Sequence, residues 1–142
     1  MDWEETMGPA RGSSVKALEL GHVSLYVRDL ETSVRFYRDV LGLEETGRGK
    51  GGRITFLSAG LHHHDVSLEQ AHLDGAIPPK GAPGLYHIAF RIGSRPEELA
   101  AARRAMAGQG FEPFGDAAGE RPCFCVRDPD GHTIELYVDT AS

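Results

Sequence analysis

At 142 residues with a formal charge of −6 and no basic run, the chain is poorly suited to nucleic acid or anionic membrane surfaces. Its make-up, 40% hydrophobic and 25% charged, is that of an ordinary globular domain long enough to bury a core without disulfides. No apolar run approaches the roughly 18 residues of a membrane span, the N-terminus lacks the order of a signal peptide, and the two cysteines, Cys123 and Cys125, stand too close along a strand to staple anything. A reducing, cytoplasmic setting is the expectation.

Residues 1–16 are polar and without period, and read as a flexible leader to a single domain spanning 17–142. In Gly21–Val27, Val23, Leu25 and Val27 share one face of a strand, with His22, Ser24 and Tyr26 on the other. Asp29 is placed to cap a helix over 30–41, with Leu30, Val34, Tyr37 and Leu41 as its buried stripe and Gly42 as its stop. A short strand over 43–45, a glycine-rich hairpin loop over 47–52, and strands over 53–57 and 65–69 follow, the last two around a loop holding His62, His63 and His64.

The Pro/Gly-rich stretch 73–84 has no period and reads as a linker. The pattern then restarts. Tyr86–Ile92 is a strand with His87, Ala89 and Arg91 on one side, and Ser94-x-x-Glu97 with Pro96 predicts a capping box opening a helix to Gln109. Gly110 ends that helix, and strands over 122–127 and 132–138 finish the chain.

This restart is an internal repeat. His22 and His87 lie 65 residues apart, and Gly42 with Gly110, Gly47 with Gly115, Phe56 with Phe124 and Ser67 with Glu135 lie 68 apart. The fold expected is α+β: two paired βαβββ modules (18–72 and 85–140) forming a curved, partly closed mixed sheet with helices outside. Strand phase then assigns the concave face His22, Ser24, Tyr26, Thr55, Leu57, Asp65, Ser67, Glu69, His87, Ala89, Arg91, Cys123, Cys125, Glu135 and Tyr137. Two imidazoles at equivalent places and one carboxylate form a facial set suited to Fe(II), and equally a catalytic Zn set. His22, His87 and Glu135 are therefore the candidate metal ligands.

Four runs carry a resemblance: Gly21-His22-Val23, Phe36 to Leu43, His87-Ile88-Ala89-Phe90, and Phe124 to Gly131 followed by Ile134-Glu135-Leu136. Over residues 20–139 the chain resembles the vicinal oxygen chelate superfamily of glyoxalases, fosfomycin-resistance and bleomycin-binding proteins, and type I extradiol dioxygenases. The resemblance implies one divalent metal, Fe(II) favoured with Mn, Zn, Ni or Co open, and a homodimer. Glyoxalase-type members carry a fourth, carboxylate ligand where this chain has Ser67, so three ligands are implied, as in extradiol enzymes. His64 matches the extradiol histidine that acts as acid/base, provided the chain bends before Val66. The extradiol tyrosine three residues before the Asp-Pro of the last hairpin is replaced by Cys125, leaving Tyr26 or Tyr137 to supply a substrate-orienting hydroxyl. Cys125 could be a reactive low-pKa thiol or a small core residue, and Arg91 could grip an anionic group. The function implied is a ring-cleaving dioxygenase acting on a catechol-like molecule. A redox-neutral lyase or isomerase, or a binding protein for a drug-like metabolite, remains open.

Overall fold

The computed structural model describes residues 14–115 and 122–139; most of the expected leader and the stretch 116–121 lie outside them. Strand β1 (Val23–Val27) pairs in parallel with β4 (Val66–Gln70), and β4 pairs antiparallel with β3 (Ile54–Ser58), which pairs with β2 (Glu44–Gly49), giving the order β1-β4-β3-β2. The second module repeats this as β5-β7-β6, from β5 (Ile88–Gly93), β6 (Cys123–Arg127) and β7 (Thr133–Val138). The place of a fourth strand there is marked by one antiparallel bridge, Phe114 to Cys125. The result is a mixed α+β fold of two open sheets, each with its own helix.

In β1 the apolar residues Leu25 and Val27 are buried while Ser24 and Tyr26 are exposed, as alternation requires. Asp29 caps α1 (Leu30–Val34), its carboxylate accepting from the Thr32 N–H at 3.0 Å. The expected helix over 30–41 is α-helical only to Val34 and continues as a wider π-turn, Arg35–Val40. That extra width turns Phe36 inward beside Tyr37, their rings edge-to-face at 5.1 Å. Gly42 then ends the segment at φ +78°, a conformation that any other residue would strain to adopt.

The stretch expected as a hairpin loop from Gly47 is still strand. β2 runs to Gly49 with a bulge between Glu45 and Gly47, and the turn proper is Lys50–Gly52. Glycine suits that edge because a Cβ at Gly49 would come within 3.2 Å of the Ile54 side chain.

Strand β3 corrects the predicted phase. Phe56 pairs opposite Ser67 and Ile54 opposite Glu69, so these two apolar residues face the open side. Thr55 and Leu57 pair with Leu68 and Val66 and are fully buried under the helix. Thr55 is accommodated there because its hydroxyl donates to Glu45 at 2.8 Å.

Helix α2 (Pro96–Gly108) begins one residue later than the capping-box reading implies. Arg95 is the N-cap, with no side-chain cap bond, and Glu98 rather than Glu97 reaches back to the Ser94 N–H at 3.3 Å. From Ala71 to His87 the chain has neither helix nor strand. One core runs through both modules: Val34, Tyr37 and Leu68 from the first join Phe124, Ile134 and Leu136 from the second, and the Phe36 and Phe111 rings meet at 5.1 Å. Each such large side chain, fully buried, contributes roughly 1.5–3 kcal/mol.

Candidate functional site

The helices cover one face of each sheet and leave the other open. On the first module that face carries Ser24, Tyr26, Ser67 and Glu69, with Ile54 and Phe56 beside them. His22 stands just ahead of β1, exposed, with the His64 ring 4.5 Å from its own. His64 reaches this place because alternation breaks at Asp65. The Asp65 carboxylate accepts from Ala59 N–H at 2.8 Å, while its backbone is pinned by the Val23 N–H and the Leu57 carbonyl. The bend required by the sequence argument is therefore present, and it seats His64 against Phe56, ring centres 4.8 Å apart. Burial, then the neighbouring His22 and His63, hold the His64 imidazole below the usual histidine range, so it is neutral at pH 7.

The buried Ser67 hydroxyl forms a short hydrogen bond with that of Ser24. Tyr26 shares the face but lies four residues from His22, about 13 Å along the strand, and its ring meets His72 edge-on.

On the second module, His87 and Glu135 line one groove of about 600 Å³. Its floor is the open face of β6 and β7, where Cys125 lies directly opposite Glu135 in register. Its other side is lined by a strap from Ile77 to Tyr86, which overlaps most of the expected linker 73–84. The Tyr86 ring stands against His87, centroids 4.7 Å apart. Burial, then Glu135 and Cys123, push the Cys125 thiol up from its ordinary value, so it is a protonated thiol rather than a reactive thiolate. Arg91 and Tyr137 pair with each other further along the same face and do not line the groove.

Two imidazoles and a carboxylate have the right donor chemistry for a divalent cation. His87 and Glu135 share the groove, whereas His22 belongs to the open face of the other module. Among the described residues of one chain, no three His, Cys, Asp or Glu side chains gather closely enough to hold a metal.

Four further residues were not singled out by sequence. The buried Asp128 carboxylate accepts from the Tyr37 hydroxyl at 2.7 Å, the His132 Nδ1 at 2.8 Å, and the backbone N–H groups of Asp130 and His132. The Asp-Pro-Asp-Gly run signals that turn through the Asx habit of bonding to its own following backbone; its partner Tyr37 has no such local signal. His132 lines the groove, and so does Arg127, whose phase two residues beyond Cys125 could have found it.

The chain belongs to the glyoxalase/bleomycin resistance protein/dioxygenase superfamily, whose family model matches residues 19–136. It is 33% identical over 128 residues to a manganese-dependent 2,3-dihydroxybiphenyl 1,2-dioxygenase of Geobacillus genomosp. 3, covering 85% of this chain and 36% of that protein. It is 31% identical to the glutathione transferase FosA of Serratia marcescens, covering 84% and 79% of the two chains. The solved structure of a glyoxalase/dioxygenase from Nostoc punctiforme shares the fold, with a TM-score of 0.75 at 23% identity over 89% of this chain and 97% of that one. The chain thus spans little more than a third of the length of the dioxygenase it matches. No helix among the described residues is long and apolar enough to cross a membrane.

Proposed function

We propose that this chain is a metal-dependent, extradiol-type dioxygenase of small vicinal diols, with His87 and Glu135 of one copy and His22 of a second copy as the ligands. The observation that carries the reading is His64, a neutral imidazole whose ring lies tilted against that of a candidate ligand, 4.5 Å away, where strand alternation breaks at Asp65. The split of the three donors between two open faces supports a two-copy site, because each face is what the other lacks. A divalent cation held by two imidazoles and a carboxylate supplies Lewis acidity and keeps positions free for substrate oxygens. Fe(II) or Mn(II) suits this reaction, and one dioxygenase relative is manganese-dependent by its description.

The chain's own residues have separable tasks. His64, uncharged at pH 7, accepts a proton from a diol hydroxyl and returns it to the opening product. The Ser24–Ser67 pair leaves Ser67 engaged with its neighbour rather than available as a fourth ligand. Ile77, Pro78 and Leu85 of the strap, with Phe114, give the groove apolar walls for a ring.

A second reading, a redox-neutral transferase or isomerase, is favoured by one observation. The match to FosA covers four fifths of that protein, far more than the dioxygenase match covers. Oxygen consumption separates the two. Protein loaded anaerobically with Fe(II) or Mn(II) is expected to take up oxygen with a member of a diol panel and release a yellow ring-opened product. Silence across the panel in both metals, or turnover without oxygen, would falsify the dioxygenase reading.

A further inference from the structure

The groove on the second module brings two permanent cations together in a chain whose net charge is −6. Lys80 reaches it from the strap, and Arg127 and His132 from the sheet, against the single carboxylate of Glu135 and the buried Asp128 behind His132. Hydrogen bonding by Asp128 holds the His132 imidazole above the usual histidine range, and that carboxylate offsets its charge, so Lys80 and Arg127 are the cations open to a ligand.

Arg127 is the best prepared of these groups. Its guanidinium lies over the Phe114 ring at 4.7 Å, and Nη1 donates to the Gly131 carbonyl and the Thr133 hydroxyl, both at 3.3 Å. No other hydrogen bond of the guanidinium to a described residue is present, so Nε and Nη2 keep donors for a ligand. A planar fork fixed before the ligand arrives is what recognition of a carboxylate needs.

Position gives the ligand its length. Arg127 pairs with Thr133, two residues from Glu135 on the same face, so the backbone positions that carry the cation and the carboxylate lie about 7 Å apart along the strand. That spacing leaves room for one aromatic ring between the two side chains. The strap adds apolar cover from Ile77, Pro78 and Leu85, and Phe114 closes the end beneath Arg127.

We infer that Arg127 is a specificity-determining residue and that the groove takes a monocyclic aromatic acid, its acid group on the Arg127 fork and its opposite edge toward His87 and Glu135. The orientation of that opposite edge rests on the metal reading above; recognition of the acid does not. Arg91 has no part in it, because it lies outside the groove.

The test uses the full chain in chelator, so that no metal or turnover is involved. Benzoate and benzamide, alike in shape but not in charge, are titrated separately and binding is followed by NMR shifts. Benzoate is expected to bind at least tenfold more tightly, with the preference shrinking as salt is raised. Arg127→Gln should abolish the preference, Arg127→Lys should keep part of it, and Arg91→Gln should leave it whole, each variant melting as the parent does. Equal affinity for the two probes, no benzoate binding at tens of millimolar, or a preference that survives Arg127→Gln overturns the inference. None of these results bears on metal binding, which fails or stands by the oxygen assay.

Discussion

The Tyr37 hydroxyl of the first module donates to the Asp128 carboxylate of the second across 2.7 Å, with both side chains buried. Burial, and then the negative charge of Asp128, hold the phenol far above its usual range, so it stays a donor at every pH at which the protein folds. Beside it, Arg28 donates from its backbone N–H and its guanidinium to Asp130 of the same turn. The turn between β6 and β7 is thereby a polar clasp between the modules.

Tyr37→Phe removes one donor from an ionised, buried acceptor. A hydrogen bond to a charged group is worth about 1.5–3 kcal/mol, so unfolding in urea should show a loss of about 2 kcal/mol with an unchanged slope. A loss under 0.5 kcal/mol would mean that the contact contributes little.

The Asp128–His132 pair should give stability a maximum in mildly acid solution. Burial works to raise the Asp128 pKa, but its bonds from His132 and Tyr37 outweigh this and the value is lowered from 3.8. Its contribution is therefore present above pH 3.8 and lost as pH falls through the lowered folded value. Asp128 raises the His132 pKa above 6.5, so that contribution is present below pH 6.5 and lost as pH rises through the raised folded value. Calorimetry should show Tm falling on the alkaline side in the parent protein and less so in His132→Gln. Identical alkaline limbs would sink the assignment.

If the ligands come from two copies, His22→Ala and His87→Ala chains should each fail to retain Mn(II) yet regain it when refolded together. One intact site forms in each mixed pair, by His22 of one chain meeting His87 and Glu135 of the other. Metal analysis after gel filtration reads the result, and no regain in the mixture rules out the shared site.

His64→Ala should leave metal content intact while lowering kcat about 100-fold or more, the usual contribution of a positioned acid/base. Since the imidazole is held below 6.5, parent activity should persist into mildly acid solution before falling. Loss of metal in His64→Ala would instead make His64 a ligand.

The duplicated plan was legible because it is written in local patterns, in the glycine stops, the Asp29 cap and the alternation of Val23, Leu25 and Val27. The faces of the second module were read correctly for the same reason. Alternation alone does not tell which face of β3 is covered, since Phe56 and Leu57 are both apolar, and Phe56 faces Ser67 just as Cys125 faces Glu135. The offset on that strand is one residue longer, and one residue reverses a strand's faces. The π-turn had no signal, since its extra residue looks like ordinary helix. The Tyr37–Asp128 bond spans 91 residues and links two modules, a relationship that no periodicity encodes. Arg91 shares the strand face of His87, but the strap decides which arginine meets a ligand, and a segment without period discloses no path.

The strap lines the groove of His87 and Glu135 and tethers the modules, yet it contributes no rungs to either sheet. Its sequence is thus free of the register constraints that fix the strands. Descendants of this chain could exchange one small molecule for another by rewriting residues there, with the scaffold and its donors untouched.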